Sequence, residues 1–268
     1  MPVVGRIAIN VFKESVRDKV LYNLVFFALL LIAASLLLGQ LTAGQEVKII
    51  KDLGLAATTV FGLFIAVFIG IGLVSKEVER RSIYALLVKP ISRAQFIVGK
   101  YLGLVLTLVV NIGVMATALF VVLGATDWFT VEGVRQSWEA PAMDPQLLKA
   151  LLLILVQLAL VTAIALLFST FSSPLLSAAL TFGLFIVGHF NADLRNFQSV
   201  VDSRALAVLL QALYYVLPNL GSFDIKGQVV HAQPVTWTYI ALTLGYAAVY
   251  IGAVLSGAVW IFSRRDFK

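Results

Sequence analysis

Side chains able to do chemistry are few in this chain, and they are unevenly placed. Between positions 76 and 100 lies the one long charged stretch set between two strongly apolar runs, KEVERRSIYALLVKPISRAQFIVGK. It carries Lys76, Arg80, Arg81, Lys89, Arg93 and Lys100 against only Glu77 and Glu79. A cation-rich island of this kind marks where a membrane-embedded chain meets a soluble partner, and the excess of positive charge places it on the cytoplasmic side. Taken alone, the same charges also fit a solvated, topology-setting loop that needs no partner.

Elsewhere the polar residues are isolated. Asn111 and Gln157 sit near the middle of two apolar runs. There an amide serves either as a contact to cargo or as an interhelical hydrogen bond, the latter worth about 0.6–2 kcal/mol. His189, near Asn191 and Asp193, fits either an outer vestibule or an interfacial hydrogen-bonding cluster. Asn111, Gln157, His189 and Asn191 are thus the candidate lining of a substrate pathway. His189 and His231 are the only histidines and cysteine is absent, so neither disulfides nor a metal site built by this chain alone is expected. No nucleophile, base and orienting residue group together as catalysis by a covalent intermediate requires.

The energy source is not on this chain either. No G-x-x-x-x-G-K-[ST] phosphate loop occurs; Gly99–Lys100 is followed by Tyr101 and lacks the upstream glycine. Ion-coupled carriers hold ionisable residues at mid-membrane, and the apolar runs here contain essentially none. No cofactor is expected on this chain, so a partner must supply the work.

These residues need elements to position them, and composition says which. Of 268 residues 60% are hydrophobic and 13% charged, about half the charge of an average soluble domain. The net charge of +6 resides in short loops rather than on one solvated face, which fits membrane topology and not nucleic acid. Residues 1–19 are amphipathic: Arg6, Asn10, Lys13 and Arg17 share one side at helical spacing, and Val4, Ala8, Val11, Phe12 and Val16 lie broadly opposite. This predicts an interfacial helix, followed by an uncleaved anchor over 20–38, too long for a signal h-region.

A polar turn over 40–51 leads to a second span over 55–74 and then to the island. There a short helix over 79–88 must end before Pro90, because a residue preceding proline is pushed out of the helical region. Ser92 and Gln95 form a capping box that starts the next helix, which enters a third span ending near Gly124. Residues 126–145 turn polar, with Trp128 and Trp138 as interfacial anchors. A fourth span over 147–168, a tight hairpin over 169–174, a short fifth span over 175–190 and an outer segment over 191–236 follow. Within that segment 203–217 reads as an interfacial or re-entrant helix. The last span, 238–262, is bracketed by Trp237 and Trp260. The expectation is an all-α polytopic membrane protein, one domain over 1–268, with about six transmembrane helices and both termini cytoplasmic.

This pattern resembles the permease subunit of type 2 ABC exporters. The residues that carry the resemblance are Glu77 to Arg81, Leu86–Leu87–Val88–Lys89–Pro90–Ile91–Ser92–Arg93, Gly99–Lys100, Leu217–Pro218–Asn219–Leu220 with Phe223–Asp224, and Arg264–Arg265–Asp266–Phe267. Arg81–Ser82 departs from the Gly-Thr or Gly-Ser pair of many relatives. The resemblance implies a coupling helix at 76–95 seated in a groove of a separate ATP-binding subunit, which would hold the ATP and magnesium. Lys76, Glu77, Glu79, Arg80 and Arg81 would make its polar contacts, Leu86, Leu87 and Pro90 would shape it, and Arg93 would stand at the membrane edge. Lys13 and Arg17 of the N-terminal elbow helix would assist. It also implies pairing with a second permease copy or paralogue in a prokaryotic inner membrane. Import is disfavoured because 169–174 is too short for an importer-type coupling loop. The alternative is a membrane scaffold that anchors an ATPase to an envelope complex and transmits force without moving cargo.

Overall fold

The computed structural model describes residues 3–41, 44–79, 92–136, 138, 140–191, 211, 214 and 216–264, with 73–79 described in backbone only. Among the described residues every regular element is helical: α1 (Val3–Val16), α2 (Lys19–Gln40), α3 (Glu46–Glu79), α4 (Arg93–Phe129), α5 (Glu132–Arg135), α6 (Gln146–Ser169), α7 (Pro174–His189), a 3₁₀ turn (Gly221–Phe223), α8 (Lys226–Val230) and α9 (Trp237–Arg264). Five of them, α2, α3, α4, α6 and α9, are long and apolar enough to cross a membrane. The protein is therefore all-α and polytopic.

Local chemistry sets the helix starts. Asp18 caps α2, its carboxylate accepting from the Val20 amide at 2.9 Å. The Ser92 hydroxyl accepts from the Gln95 amide at 3.2 Å while the Gln95 side chain accepts from the Ser92 amide at 3.1 Å, the reciprocal box that the sequence predicts. Pro174 opens α7 in the first turn, where its missing N–H costs nothing. Two boundaries differ from expectation. Helix α2 runs to Gln40, Gly44 has a φ of 81°, and α3 already begins at Glu46 rather than near Leu55. Lys51 allows this because its ammonium, fully buried, donates to the Pro141 carbonyl at 2.7 Å. At the other boundary α4 runs past Gly124 to Phe129, since a single glycine costs a helix only about 1 kcal/mol.

The core is a helical bundle around α6, which α3, α4, α7 and α9 all contact; α2 packs on α3 and α4. Small residues permit the close approaches. Gly54 of α3 lies under Leu119 of α4, and Gly62 of α3 lies under Leu158 of α6. Buried hydroxyls return to their own helices: Thr58 to the Gly54 carbonyl, Thr107 to Gly103 and Thr162 to Leu158, at 2.7–3.0 Å. No donor among these three is stranded, which a hydrocarbon surrounding requires.

Helix α7 has 16 residues, about 24 Å at 1.5 Å each, short of a hydrocarbon core of about 30 Å. It lies against α6 and α3, with Phe182 edge-on to Phe64 and Phe68. Its far end reaches only the middle of α6, where His189 meets Gln157.

Candidate functional site

At the island end, three elements converge on the start of α4. Arg93, its first residue, donates from Nη1 to the Phe262 carbonyl at 2.9 Å and to the Ser263 carbonyl at 2.6 Å. A guanidinium at the carbonyl end of α9 is favoured by that helix's dipole. One turn on, Phe96 stacks on Phe262 with centroids 5.8 Å apart. Lys100 is 1% exposed and holds its ammonium 5.2 Å from the Phe96 ring centroid, so this cation belongs to the bundle interior and not to the solvated loop.

Gly99 and Gly103 seat α1. A Cβ on Gly99 would come 2.7 Å from Ile7 Cβ, and one on Gly103 would come 2.6 Å from both the Ala8 carbonyl and Val11 Cβ. The apolar side of α1 thus faces α4, with Val11 buried, while Arg6, Asn10, Lys13 and Arg17 are exposed. Lys13 stands on the free face of a helix clamped to α4, and Arg17 just past that helix's end.

Lys76, Glu77 and Glu79 lie in the last turns of α3; the side chains there are not described. Arg80, Arg81, Leu86, Leu87 and Pro90, and the helix break expected at 89–91, fall outside the described residues. What the fold does fix is the support on both sides. Helix α3 has 34 residues and α4 has 37, about 51 and 56 Å. Both exceed the hydrocarbon thickness of about 30 Å, so the island is carried on two continuous helices that also reach the opposite end of the bundle.

The second polar cluster lies deeper. Gln157, halfway along α6 and 2% exposed, donates from Nε2 to the Leu220 carbonyl at 3.1 Å and meets His189 Nε2 at 3.0 Å. His189 Nδ1 lies 2.8 Å from the Phe185 carbonyl. A carbonyl only accepts, so the proton is on Nδ1, and Nε2 is left to accept from Gln157. Asn191 donates to the Leu217 carbonyl at 2.8 Å. The Leu220 amide returns to the Gly188 carbonyl at 2.9 Å, and a Cβ on Gly188 would strike Leu220 and the Pro218 carbonyl at 2.9 Å.

The segment after Leu217 therefore begins at the depth of Gln157. It ends nearer the start of α6, where Lys149 donates to the Val235 carbonyl at 2.6 Å and lies 4.7 Å from the Trp237 ring centroid. Between these points Leu220, Phe223, Ile225 and Val229 are at most 1% exposed. Most of 203–217, where an interfacial or re-entrant helix is expected, falls outside the described residues. What is described is a strap of irregular backbone, tolerated at such depth where protein surrounds it. Helix α9 braces it from the other side. Tyr239 donates to the Ser222 carbonyl at 2.6 Å, Tyr250 to Val216 at 2.7 Å, and the Tyr246 hydroxyl accepts from the Asn219 amide at 2.9 Å.

Gln157, His189 and Asn191 are thus brought together, and Asn111 is not. Asn111 is 5% exposed and donates to the Thr107 carbonyl of its own helix at 2.7 Å. The three tyrosines, Lys51 and Lys149 went unread in the sequence. Tyr239, Tyr246 and Tyr250 had a signal, since offsets of 7 and 11 place them on one helix face; the two lysines had none beyond their position at the edge of an apolar run.

Five helices long and apolar enough to cross a membrane define a polytopic membrane protein, and among its described residues no three His, Cys, Asp or Glu side chains gather as a metal site would require. The family model described as ABC-2 family transporter protein matches residues 6–267, and the chain belongs to that family, as a permease component of an ABC transporter. No curated protein matches the chain.

Proposed function

We propose that the chain is the membrane half of an ATP-driven exporter, working as a pair of permeases with separate ATP-binding subunits at the prokaryotic inner membrane. The observation that carries this is the island at 76–95, suspended between α3 and α4 in a chain of the ABC-2 family. The ATP-binding subunit would press on the island from the cytoplasm, with Lys76, Glu77, Glu79, Arg80 and Arg81 as polar contacts and Leu86, Leu87 and Pro90 shaping the coupling helix. Lys13, exposed on α1, and Arg17, exposed just past its end, would add a second contact. A push on the island is delivered to α4, and through Arg93 and the α1 clamp it reaches α9 and α1 as one body.

The path for cargo would form between two copies. Gln157, His189 and Asn191 hold the strap after Leu217, which would stand at its outer mouth. Outward transport is favoured because the 169–174 hairpin is too short to seat a coupling helix of the importer kind. The test is co-purification with a co-expressed ATP-binding subunit. Reversing the charges of Glu77, Glu79, Arg80 and Arg81 together should abolish both the complex and permease-stimulated ATP hydrolysis. Normal binding and normal stimulation by that variant would reject the coupling assignment.

A further inference from the structure

At the end of the bundle away from the island, α2, α3 and α4 do not close on one another. They leave a cleft of about 430 Å³ lined by Leu36, Gln40, Glu46, Ile50, Thr126 and Phe129, among others. Small-molecule sites run from about 300 to 1,000 Å³. Its depth is set by Trp128, exposed near the end of α4, a side chain that belongs at the headgroup level.

The polar wall of the cleft is anionic. Glu46 Oε1 accepts from the Gly44 amide at 3.2 Å, but Oε2 is buried with no hydrogen-bond partner. Gly39 of α2 holds this residue in place, since a Cβ there would lie 3.3 Å from the Glu46 carbonyl. The carbonyl ends of two helices, α2 at Gln40 and α4 at Phe129, open at the same level, and each favours a cation. Among the described residues no lysine or arginine lines the cleft. Arg135, the nearest cation in sequence to α4's end, is taken up by the Thr130 carbonyl at 3.1 Å and Asp127 at 3.7 Å. Leu36, Ile50 and Phe129 supply the apolar remainder, on the side toward lipid tails.

The geometry points to a binding site for an amphiphile with a primary ammonium head: the ammonium donates to Glu46 Oε2, and the chain lies along Leu36 and Ile50. Such a head is presented by an ethanolamine phospholipid and by a free alkylamine. A choline head has no N–H to give, and an anionic head is repelled. The site depends only on α2, α3 and α4, so loss of the ATP-binding partner leaves it intact and the two readings fail separately.

The experiment uses the full chain in phosphatidylcholine nanodiscs, in one arm doped with phosphatidylethanolamine and in the other titrated with dodecylamine. Native mass spectrometry counts retained lipid or amine. Wild-type protein should retain the ammonium-headed species over phosphatidylcholine and over dodecyltrimethylammonium. Glu46→Gln should weaken that retention about tenfold, a typical loss for a charge-assisted hydrogen bond. Ala125→Leu, which keeps the carboxylate and fills the cleft, should weaken it as well, with thermal unfolding of the apo protein confirming that both variants fold. Retention of phosphatidylethanolamine alone assigns the lipid as the source of the head, and retention of dodecylamine alone assigns a free amphiphile. Equal retention by wild type and Glu46→Gln, or no preference for a primary ammonium, overturns the site.

Discussion

Gln157 shows how much one amide can organise. Its Nε2 serves two acceptors at once, one on α7 and one on the strap after Leu217. Replacing it by leucine leaves His189 Nε2 without its donor and the Leu220 carbonyl with only the Phe223 amide at 3.2 Å. A buried unpaired group costs about 1–3 kcal/mol, although polar pairs in membranes average nearer 0.6. We therefore expect Gln157→Leu to destabilise by about 1–2 kcal/mol, read as a lower thermal midpoint in detergent. A cycle with His189→Phe should give a coupling energy above about 0.5 kcal/mol, as contacting residues do; strict additivity would mean that the two side chains do not interact. The amide itself was legible, since a lone Gln in an apolar run must find a partner. Its partner was not. The Leu220 carbonyl lies 63 positions away, and no local periodicity encodes a backbone acceptor in an irregular segment.

Elements carried a clearer signal than contacts did. The Ser92–Gln95 box announces the start of α4 because its chemistry is local, spanning three residues. The end of α4 was misplaced by five residues, because Gly124 reads as a stop only where the helix lacks support on both sides. Gly99-x-x-x-Gly103 reads as a close helix approach without saying to which helix; the structure shows the occupant to be α1. This yields a direct expectation. Gly103→Ala drives a Cβ to 2.6 Å from the Ala8 carbonyl, a backbone atom that cannot rotate away. Overpacking of this kind costs about 1–3 kcal/mol. Amides of α1 should exchange hydrogen faster in Gly103→Ala, while Gly113→Ala on the same helix, where a Cβ meets nothing within 4 Å, should leave α1 protected. Unchanged protection of α1 in Gly103→Ala would show that the clamp yields without cost.

At the scale of the whole molecule, the described residues hold five helices long enough to cross and one shorter apolar helix, α7, that does not span by itself. Helix α6 runs from Lys149, beside Val235, toward the 170–173 turn, and α7 comes back only as far as Gln157. The remaining ascent is made by the strap through Leu220, Phe223 and Val229. One full crossing is thus divided between a helix of about 24 Å and a folded strap. The sequence shows the cation bias that orients the bundle, because charge placement is set residue by residue. It hides the strap, because Pro218, Gly221 and Gly227 break any period among its buried residues and leave what reads as an ordinary outer loop. The chain has no cysteine, so single introduced thiols can report the arrangement cleanly. Ala94, Ser173 and Gln233 are all exposed. In intact cells an impermeant maleimide should label Gln233→Cys and spare both Ala94→Cys and Ser173→Cys, with all three labelled after permeabilisation. Outside labelling of Ser173→Cys would mean that α7 and the strap together do not complete a crossing. Outside labelling of Ala94→Cys would invert the bundle and remove the island from the reach of any cytoplasmic ATPase.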